Sequence, residues 1–363
     1  MDRRRFIAHG ATGAAVAAVA APHVANAQPR IRWRCPGSFP KSLDTLYGTQ
    51  EHICRRVHEI TDGAFQIQPF APGEIVPALQ VLGAAGQGSV EIGWSAPYYY
   101  TGKDPSLAFG SCVPFGLNSR QQWSWWHNGG GKEAMAPVFA DQGVVCLLGG
   151  NTGAQMGGWF RKEIKSIEDL RGLKFRIAGY AGEVFNKLGA VAQQLGGADI
   201  YPALERGVID GAEWVGPYDD EKLGFQRVAE YYYFPGWWEP GPSIAMLVNR
   251  TAWEGLPATF KAALETACGE GYSFMSGRYD ALNPPALRRL IAHGTKLRQF
   301  PRDVIAACYR TTQELYAELG TRNARFKDIH AQWDAFRRDS QTWFRVVEDS
   351  FANSLAAVQA QPR

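Results

Sequence analysis

The chain has 363 residues, of which 45% are hydrophobic and 20% charged, so it can bury the cores of two domains and is neither disordered nor membrane-spanning throughout. Its formal net charge is +3; residues 1–27 carry three arginines and one aspartate, and without them the charge is +1. So small a charge gives no electrostatic argument for a nucleic-acid partner.

The first 27 residues are typical of an export signal. Residues 2–7 (DRRRFI) have the form of a twin-arginine signal, and residues 25–27 (ANA) form a small-x-small cleavage pattern. The weakly apolar stretch between them is too short to span a bilayer stably, although a retained N-terminal anchor is the alternative. We expect a periplasmic protein that starts near Gln28.

Strand and helix patterns alternate in the first third of the chain. Strands are predicted at 31–35, from Phe65 and at 90–94, with helices ending at Gly63 and near Gly86. This β-α-β-α-β order predicts a mostly parallel sheet.

Polar and aromatic residues follow two strand patterns. Of three tyrosines after the strand at 90–94, we expect two, Tyr98 and Tyr99, to line a cleft; core packing or a dimer contact is the alternative. An apolar strand at 144–148 leads into a Gly-rich segment that we interpret as the first crossing between domains. The amides of Asn151 and Gln155 in that segment suit a ligand carboxylate or a hard cation, unless they serve the turn itself.

Two further segments place charged residues after strand patterns. Leu173, Phe175 and Ile177 alternate with Lys174 and Arg176, so Arg176 lies on the face opposite Phe175. A short helix at 203–206 ends at Gly207, and a strand then leads to Glu213 and Trp214. Ligands bind at the carboxyl ends of strands in open α/β sheets. The planar guanidinium of Arg176 fits a carboxylate, and a salt bridge to Asp or Glu is the alternative.

The last third is mainly helical. Residues 235–241, which include Glu239, are interpreted as a second crossing, after which a strand at 243–249 returns to the first domain. Pro257 opens a helix that we expect to end at Asn283, before the prolines at 284–285; ~27 residues give ~40 Å, enough to brace both domains. A strand at 297–300 and a helix ending near Gly320 come next.

The C-terminal helix carries an apolar stripe. Its members are Ile329, Trp333, Phe336, Trp343, Val347 and Phe351. Such a helix can cover its own domain or pair with a second copy of the chain, and the stripe alone leaves both open.

Two runs carry a family resemblance. Residues 170–176 (LRGLKFR) and 201–213 (YPALERGVIDGAE) resemble the signature of the periplasmic solute-binding proteins of TRAP transporters, the DctP family, and the likeness extends from about Arg30 to the C-terminal helix. The resemblance implies that Arg176 clamps a carboxylate. The pair Glu213-Trp214 and the aromatic-rich segments look most like the branch that binds 2-oxo or 2-hydroxy monocarboxylates beside a metal ion.

The same resemblance implies a cation site formed by Gln155, Glu213, Trp214 and Glu239. Two carboxylates, an amide and a backbone carbonyl are oxygen donors, which suit a hard cation such as Na⁺ or Ca²⁺. Without the cation, two carboxylates would repel an anionic ligand. The candidate substrate-binding residues are then Arg176, Asn151, Gln155, Tyr98, Tyr99 and Glu213.

The predicted fold is an α/β, two-domain periplasmic binding protein with an interdomain cleft, a long bracing helix and a long C-terminal helix. The predicted segments are the signal at 1–27, domain I at 28–150 plus about 241–283, domain II at 151–240 plus about 284–325, and the C-terminal helix at 326–363. The predicted partners are a small organic acid such as pyruvate or lactate, TRAP membrane subunits, and a second copy bound through the C-terminal helix.

Two other functions are weighed against this one. A sugar-binding protein would use tryptophans such as Trp123, Trp125 and Trp126 as stacking platforms, although packing explains them equally well. A glycoside hydrolase would use the paired carboxylates as acid and base, but Arg176 beside them would keep both ionised. No nucleophile or phosphate-loop motif is present, so we expect no enzyme.

The six cysteines form no C-x-x-C pair, which excludes metal-thiolate and thioredoxin motifs. One disulfide is possible in an oxidising compartment. The alternative is that all six are buried free thiols.

Overall fold

The computed structural model describes residues 29–360, so the predicted signal peptide lies outside the described residues. Within that part the strands are β1 (Ile31–Pro36), β2 (Phe65–Phe70), β3 (Ile92–Ser95), β4 (Val144–Asn151), β5 (Trp159–Phe160), β6 (Lys174–Arg176), β7 (Val191–Gln193), β8 (Gly211–Ala212), β9 (Tyr231–Phe234), β10 (Ser243–Asn249) and β11 (Lys296–Gln299). The helices are α1 (Leu46–Ile60), α2 (Val81–Gly86), α3 (Ser119–Asn128), α4 (Gly131–Asp141), α5 (Gly179–Lys187), α6 (Gly197–Glu205), α7 (Pro217–Leu223), α8 (Arg250–Glu254), α9 (Ala258–Ala292), α10 (Arg302–Arg322), α11 (Ala324–Phe344) and α12 (Ser350–Gln359).

The first lobe is built on β1 to β4 and β10. β1 and β2 are parallel, and a parallel bridge between Gly37 and Trp94 joins β1 to β3. The expected parallel order therefore holds for the first three strands. It does not hold for the whole sheet, because β10 lies antiparallel between β3 and β4. The chain passes through the second lobe between β4 and β10 and then re-enters the first lobe. β10 is therefore not the second strand of a β-α-β unit and need not be parallel to its neighbours.

The second lobe is a six-stranded sheet in the order β11-β9-β5-β8-β6-β7. β6 is parallel to both β7 and β8, whereas β5 is antiparallel to its two neighbours. β6 and β8 therefore end at the same edge of the sheet, which brings Arg176 close to the segment that follows Ala212. The chain leaves the first lobe after β4 and returns in β10, near the two predicted crossings. The exact domain limits stay a prediction.

The long helix extends further than predicted. Its expected end at Asn283 is wrong, because α9 has 35 residues and continues through the prolines at 284–285 to Ala292. Proline weakens a helix by removing an N–H donor and crowding the preceding turn. Tertiary packing offsets that cost, since Ala286 and Leu290 beyond the prolines are buried. At 1.5 Å per residue α9 is about 52 Å long.

The C-terminal helical region has two different halves. In α11, Ile329 and Trp333 are buried, and the Trp333 ring lies 5.6 Å from that of Phe109 in the first lobe. Further on, Trp343 is 60% exposed and Phe351 is 69% exposed. The first half of the predicted stripe therefore packs within the chain, and the second half faces outward. No helix among residues 29–360 has the length and apolar character needed to span a membrane.

Aromatic and sulfur-containing side chains contribute mainly to the interior. All six cysteines are buried and free, as the free-thiol interpretation predicted. Trp125 and Trp126 of α3 are buried among core aromatics, while Trp123 packs against His127 and Tyr272. Trp125 and Trp126 thus serve packing and offer no exposed platform for a sugar ring.

Candidate functional site

Arg176 is the most deeply buried cation of the site, with 1% exposure. It ends β6 on the face opposite Phe175, as the alternating pattern predicted. Its Nε donates to the carbonyl oxygen of Leu195 at 3.1 Å, and its Nη1 donates to the carbonyl oxygen of Glu213 at 2.8 Å and to the Glu213 carboxylate. The salt bridge considered as an alternative is therefore present. Because Nε and Nη1 are engaged, Nη2 is the nitrogen left for further partners.

Glu213 and Glu239 place two carboxyl groups beside one guanidinium. Both side chains are buried, and in the described structure the Oε2 atom of each has no hydrogen-bond partner. Burial raises the pKa of Glu213 to about 7 against the attraction of Arg176. Burial and the charge of Glu213 raise the pKa of Glu239 well above its usual range. One positive charge thus does not neutralise two carboxylates here.

Burial is the largest influence on the pKa of Arg176 and would lower it, but the charges of Glu213, Glu239 and the neighbouring tyrosines together raise it. Arg176 therefore stays protonated and pairs with Glu213, so that one carboxyl group of the two lacks a compensating charge. A cation next to them would let both ionise.

Gln155 supplies a third buried oxygen without a partner. Its Nε2 donates to Thr152 Oγ1 at 3.1 Å, and its backbone N–H donates to the Glu239 carbonyl oxygen at 3.1 Å, while Oε1 has no partner among the described residues. Buried polar atoms are rarely left unpaired. Three such oxygens, on Gln155, Glu213 and Glu239, fit the donor set that a hard cation needs.

Only two of those donors are carboxylates. Within residues 29–360 no group of three or more His, Cys, Asp or Glu side chains is arranged to hold a metal ion. A cation here would depend on the amide and on a backbone carbonyl, for which Trp214 is the predicted donor. The Trp214 ring itself lies 5.1 Å from the Arg176 guanidinium and packs closely on Gly197.

The three tyrosines at 98–100 have different surroundings. Burial raises the pKa of Tyr98, and the charges of Glu239 and Glu213 raise it further. Burial also raises the pKa of Tyr99, and the charge of Arg176 opposes that shift. Those two side chains therefore lie beside the site. Tyr100 instead bonds Ser95 Oγ at 2.8 Å inside the first lobe.

Asn151 has a different role from the predicted one. Its Nδ2 donates to the Gly241 carbonyl oxygen at 2.8 Å and to the Tyr272 hydroxyl at 2.9 Å, and its Oδ1 accepts from the Gly153 N–H at 2.8 Å. These bonds tie the first crossing to the second and to α9. Both amide hydrogens are used internally, so the turn interpretation describes Asn151 better than ligand binding does.

The site lies between the lobes. Tyr98 from the first lobe packs on Gly179 of α5, where an added Cβ would come within 2.8 Å of the tyrosine ring, and Gly179 has a φ of 62°. Gln194 Nε2 of the second lobe donates to the Tyr99 carbonyl oxygen at 3.3 Å. These contacts describe lobes that meet around the site.

Sequence reasoning missed three contributors. Phe39 of the first lobe places its ring 6.4 Å from that of Trp214. Leu195 holds Arg176 through a backbone oxygen, and backbone groups carry no sequence signal. Cys112 is near enough for the charges of Glu239 and Glu213 to help raise its pKa, after burial. A lone cysteine after a loop gave no reason to expect that.

Two α/β lobes that enclose buried polar groups define a solute-binding protein that holds its ligand between them. The description "Bacterial extracellular solute-binding protein, family 7" (DctP) matches residues 37–323, most of the chain. The chain therefore belongs to this family, as the two sequence runs predicted.

Relatives support the assignment over nearly the whole length. The chain is 49% identical, over 91% of both proteins, to the monocarboxylate 2-oxoacid-binding periplasmic protein of Nostoc sp.. A TRAP transporter solute-binding protein from Bordetella bronchiseptica, a mixed-occupancy dimer with copurified calcium and picolinate, has a TM-score of 0.90 at 50% identity, covering 92% of this chain and 100% of that one. Another from Pseudoalteromonas atlantica, with bound sodium and pyruvate, has a TM-score of 0.87 at 34% identity, covering 90% and 99%.

Proposed function

We propose that this protein is the extracytoplasmic solute-binding subunit of a TRAP transporter and captures a small 2-oxo or 2-hydroxy monocarboxylate, such as pyruvate or lactate. Arg176 donates to the ligand carboxylate, with Tyr98 and Tyr99 beside it. A Na⁺ or Ca²⁺ ion bridges that carboxylate to Gln155, Glu213, Trp214 and Glu239. The relatives that bind 2-oxoacids, and the neighbours with calcium or sodium beside a small acid, support this assignment.

The observation that carries the proposal is the set of three buried oxygens without partners beside one protonated arginine. Two ionised carboxylates next to Arg176 leave one negative charge in excess, which disfavours an anionic ligand. Na⁺ cancels that excess and Ca²⁺ reverses it, and either ion itself attracts the ligand carboxylate. With two carboxylates in the site, charge alone favours Ca²⁺ over Na⁺.

Native mass spectrometry of protein purified from the periplasm tests the ligand, the ion and the stoichiometry together. We expect a bound small monocarboxylate and one Na⁺ or Ca²⁺ per chain. Calorimetric titration with pyruvate, lactate and a neutral sugar follows on the stripped protein. Binding near 1 µM corresponds to about −8 kcal/mol. Binding of the sugar and of neither acid would contradict the proposal.

The cation is tested by substitution. Glu239→Gln keeps an oxygen but removes a charge, so it should weaken Ca²⁺ binding more than Na⁺ binding. Glu205→Gln, on the surface of α6, is the control and should leave both unchanged. Equal Ca²⁺ affinity in the two variants, measured by calorimetry, would exclude Glu239 as a ligand of the ion.

Export, turnover and assembly are part of the same proposal. The arginine-rich start at residues 2–7 supports a twin-arginine route to the periplasm, where the loaded protein would meet TRAP membrane subunits. We infer binding without turnover, so the bound acid should be recovered unchanged after incubation. The exposed apolar second half of the C-terminal helix supports a homodimer, and the mixed-occupancy dimer of the Bordetella relative agrees with that.

A further inference from the structure

One buried carboxylate joins the first lobe, the second lobe and the bracing helix. Asp219 of α7 is fully buried. Thr45 of the first lobe donates to its Oδ1 at 2.6 Å, and Tyr279 of α9 donates to its Oδ2 at 2.7 Å. Each oxygen therefore holds a hydroxyl from a different part of the molecule. We name Thr45, Asp219 and Tyr279 the junction.

The neighbouring residue fixes α7 to the second lobe. Asp220 Oδ2 accepts from the Trp159 indole N–H at 2.9 Å and from the Tyr232 hydroxyl at 2.7 Å. Trp159 lies on β5 and Tyr232 on β9, so α7 is anchored on the second sheet. Asp220 thus acts inside one lobe, whereas Asp219 reaches across to the other.

The hydroxyl of Thr45 does not cap the helix that follows it. Thr45 precedes α1, where a threonine hydroxyl commonly accepts from a backbone N–H of the first turn. No such capping bond is made, and the hydroxyl instead donates to Asp219, 174 positions away. The same loop makes a second contact to α7 and α9, because Asp44 accepts from Tyr218 at 3.1 Å, from Arg278 at 2.6 Å and from Lys222.

The Asp44 contacts are half-exposed, and exposed ion pairs contribute little because solvent screens them. The junction is buried, so solvent does not screen its hydrogen bonds. Loss of either donor would leave a buried carboxyl oxygen without a hydrogen-bond partner, which costs free energy. Burial raises the pKa of Asp219 to about 6 against the bonds from Thr45 and Tyr279. The stability of the contact between the lobes should therefore depend more on the buried junction than on the half-exposed contacts of Asp44.

We propose that Thr45 and Asp219 are positioning residues that hold the two lobes in the closed arrangement around the ligand. The bond between them forms when the loop before α1 meets α7, and it breaks when the cleft opens. This rests on the proposed function for its ligand, but not on which monocarboxylate binds. Neither residue is among the predicted ligand or cation contacts.

Two threonines of the same region provide a matched test. Thr49 is also buried, and its hydroxyl donates to the Thr45 carbonyl oxygen at 2.6 Å, entirely within the first lobe. Thr45→Val and Thr49→Val each remove one hydroxyl and keep the shape. We expect Thr45→Val to release pyruvate about fivefold faster, which corresponds to about 1 kcal/mol, with an unchanged association rate. Thr49→Val should release it at the wild-type rate. Stopped-flow tryptophan fluorescence with Ca²⁺ measures both.

A second measurement needs no ligand. Amide hydrogen exchange of residues 217–223 should be faster in Thr45→Val than in Thr49→Val, because the closed population is smaller. An equal release rate in the two variants, or equal exchange, overturns the proposal. If the wild type binds neither pyruvate nor lactate, the proposed function fails and the exchange comparison alone decides the junction. Should Thr45→Val not fold, Tyr279→Phe removes the other donor and takes its place.

Discussion

At the scale of the residue, Arg176 has to meet two opposing requirements: a partner for its buried charge and free donors for a ligand. A buried guanidinium needs an anion, and Glu213 supplies one within the protein. A ligand clamp needs free donors, and only part of the guanidinium remains for that purpose. In the proposed function, the pair with Glu213 would orient the guanidinium before a ligand arrives, so little side-chain order would have to be gained on binding.

Arg176→Lys separates the charge from the shape. The lysine still neutralises Glu213, so the fold should be kept, but it lacks the planar set of N–H donors. A charged hydrogen bond is worth roughly 1.5–3 kcal/mol, so we expect pyruvate to bind about tenfold to a hundredfold more weakly in calorimetry. Arg171→Lys, on the exposed approach to β6, should bind as the wild type does. If Arg176→Lys binds pyruvate as tightly as the wild type, Arg176 does not contact the ligand.

Asp220 makes stability depend on pH. Burial raises its pKa from 3.8 to about 7, despite three hydrogen bonds. Between those values the folded protein holds a proton that the unfolded chain has lost, so this contribution is complete below the lower value and is lost as pH rises through the higher one. Asp220→Asn lacks the ionisation.

The stability of wild type relative to Asp220→Asn should therefore fall by roughly 2–4 kcal/mol between about pH 5 and pH 8, since each pKa unit is worth about 1.4 kcal/mol. Urea unfolding at several pH values measures it. Asp339→Asn on the exposed face of α11 should show no such trend. A difference that stays constant over this range would mean that Asp220 does not titrate there.

At the scale of elements, α9 is a long helix that touches both lobes. Its first half packs on the first lobe, where the Phe260 ring stacks on Phe65 at 5.5 Å. Near its end Arg289 pairs with Glu221 of α7. Close approach to the first lobe is possible because a glycine sits at the contact. A Cβ at Gly271 would come within 2.6 Å of the Gly149 carbonyl oxygen.

Two glycines of α9 give opposite predictions. Gly271→Ala must push against backbone and Ile53, and such overpacking typically costs about 1–3 kcal/mol. Gly277→Ala meets nothing within 4 Å and should stabilise the helix by about 0.5–1 kcal/mol, because alanine loses less backbone entropy. Urea unfolding distinguishes them. The packing argument fails if both variants are stabilised alike.

The C-terminal helical region is also divided by environment. Residues 348–360 are all exposed, with Phe351 and Val358 more than half exposed. If a second copy covers this face, Phe351→Ser combined with Val358→Ser should convert a dimer to a monomer in light scattering. Pyruvate affinity should be unchanged, since neither residue is among the predicted ligand or cation contacts. Val208→Ser removes a half-exposed apolar residue elsewhere and should leave the mass unaltered. A dimer that survives the double substitution would require another interface.

At the scale of the whole molecule, the residues of the polar site are different from those of the junction between the lobes. The polar site collects residues from the second sheet and from both crossings, while contacts such as Gln194 with Tyr99 appear only when the lobes meet. Closure excludes water, which strengthens every charge interaction inside. The junction at Asp219 uses residues other than the predicted ligand contacts, so a substitution there should speed ligand release without removing any contact to the ligand.

Much of this was predictable because it is written in local patterns. Alternation placed Phe175 and Arg176 on opposite faces of a strand, and β10 occupies the predicted residues 243–249. Gly63, predicted to end the first helix, has a φ of 76° just beyond α1. The two family runs gave the class of protein, because they encode a strand edge and a turn whose geometry is set by nearby residues.

Other features depend on partners that are distant in sequence. Pro284 and Pro285 signal a helix end locally, yet packing against the second lobe carries α9 through them. Asn151 has the chemistry of a ligand and of a turn, and only its three partners decide between them. Thr45 lies directly before α1, but the acceptor of its hydroxyl is Asp219 on α7. The sequence by itself determined the family and many of the strands and helices, and it proposed the donors near the site. Tertiary structure decided which donors stay unpaired, because burial and pairing are properties of residues brought together from both lobes.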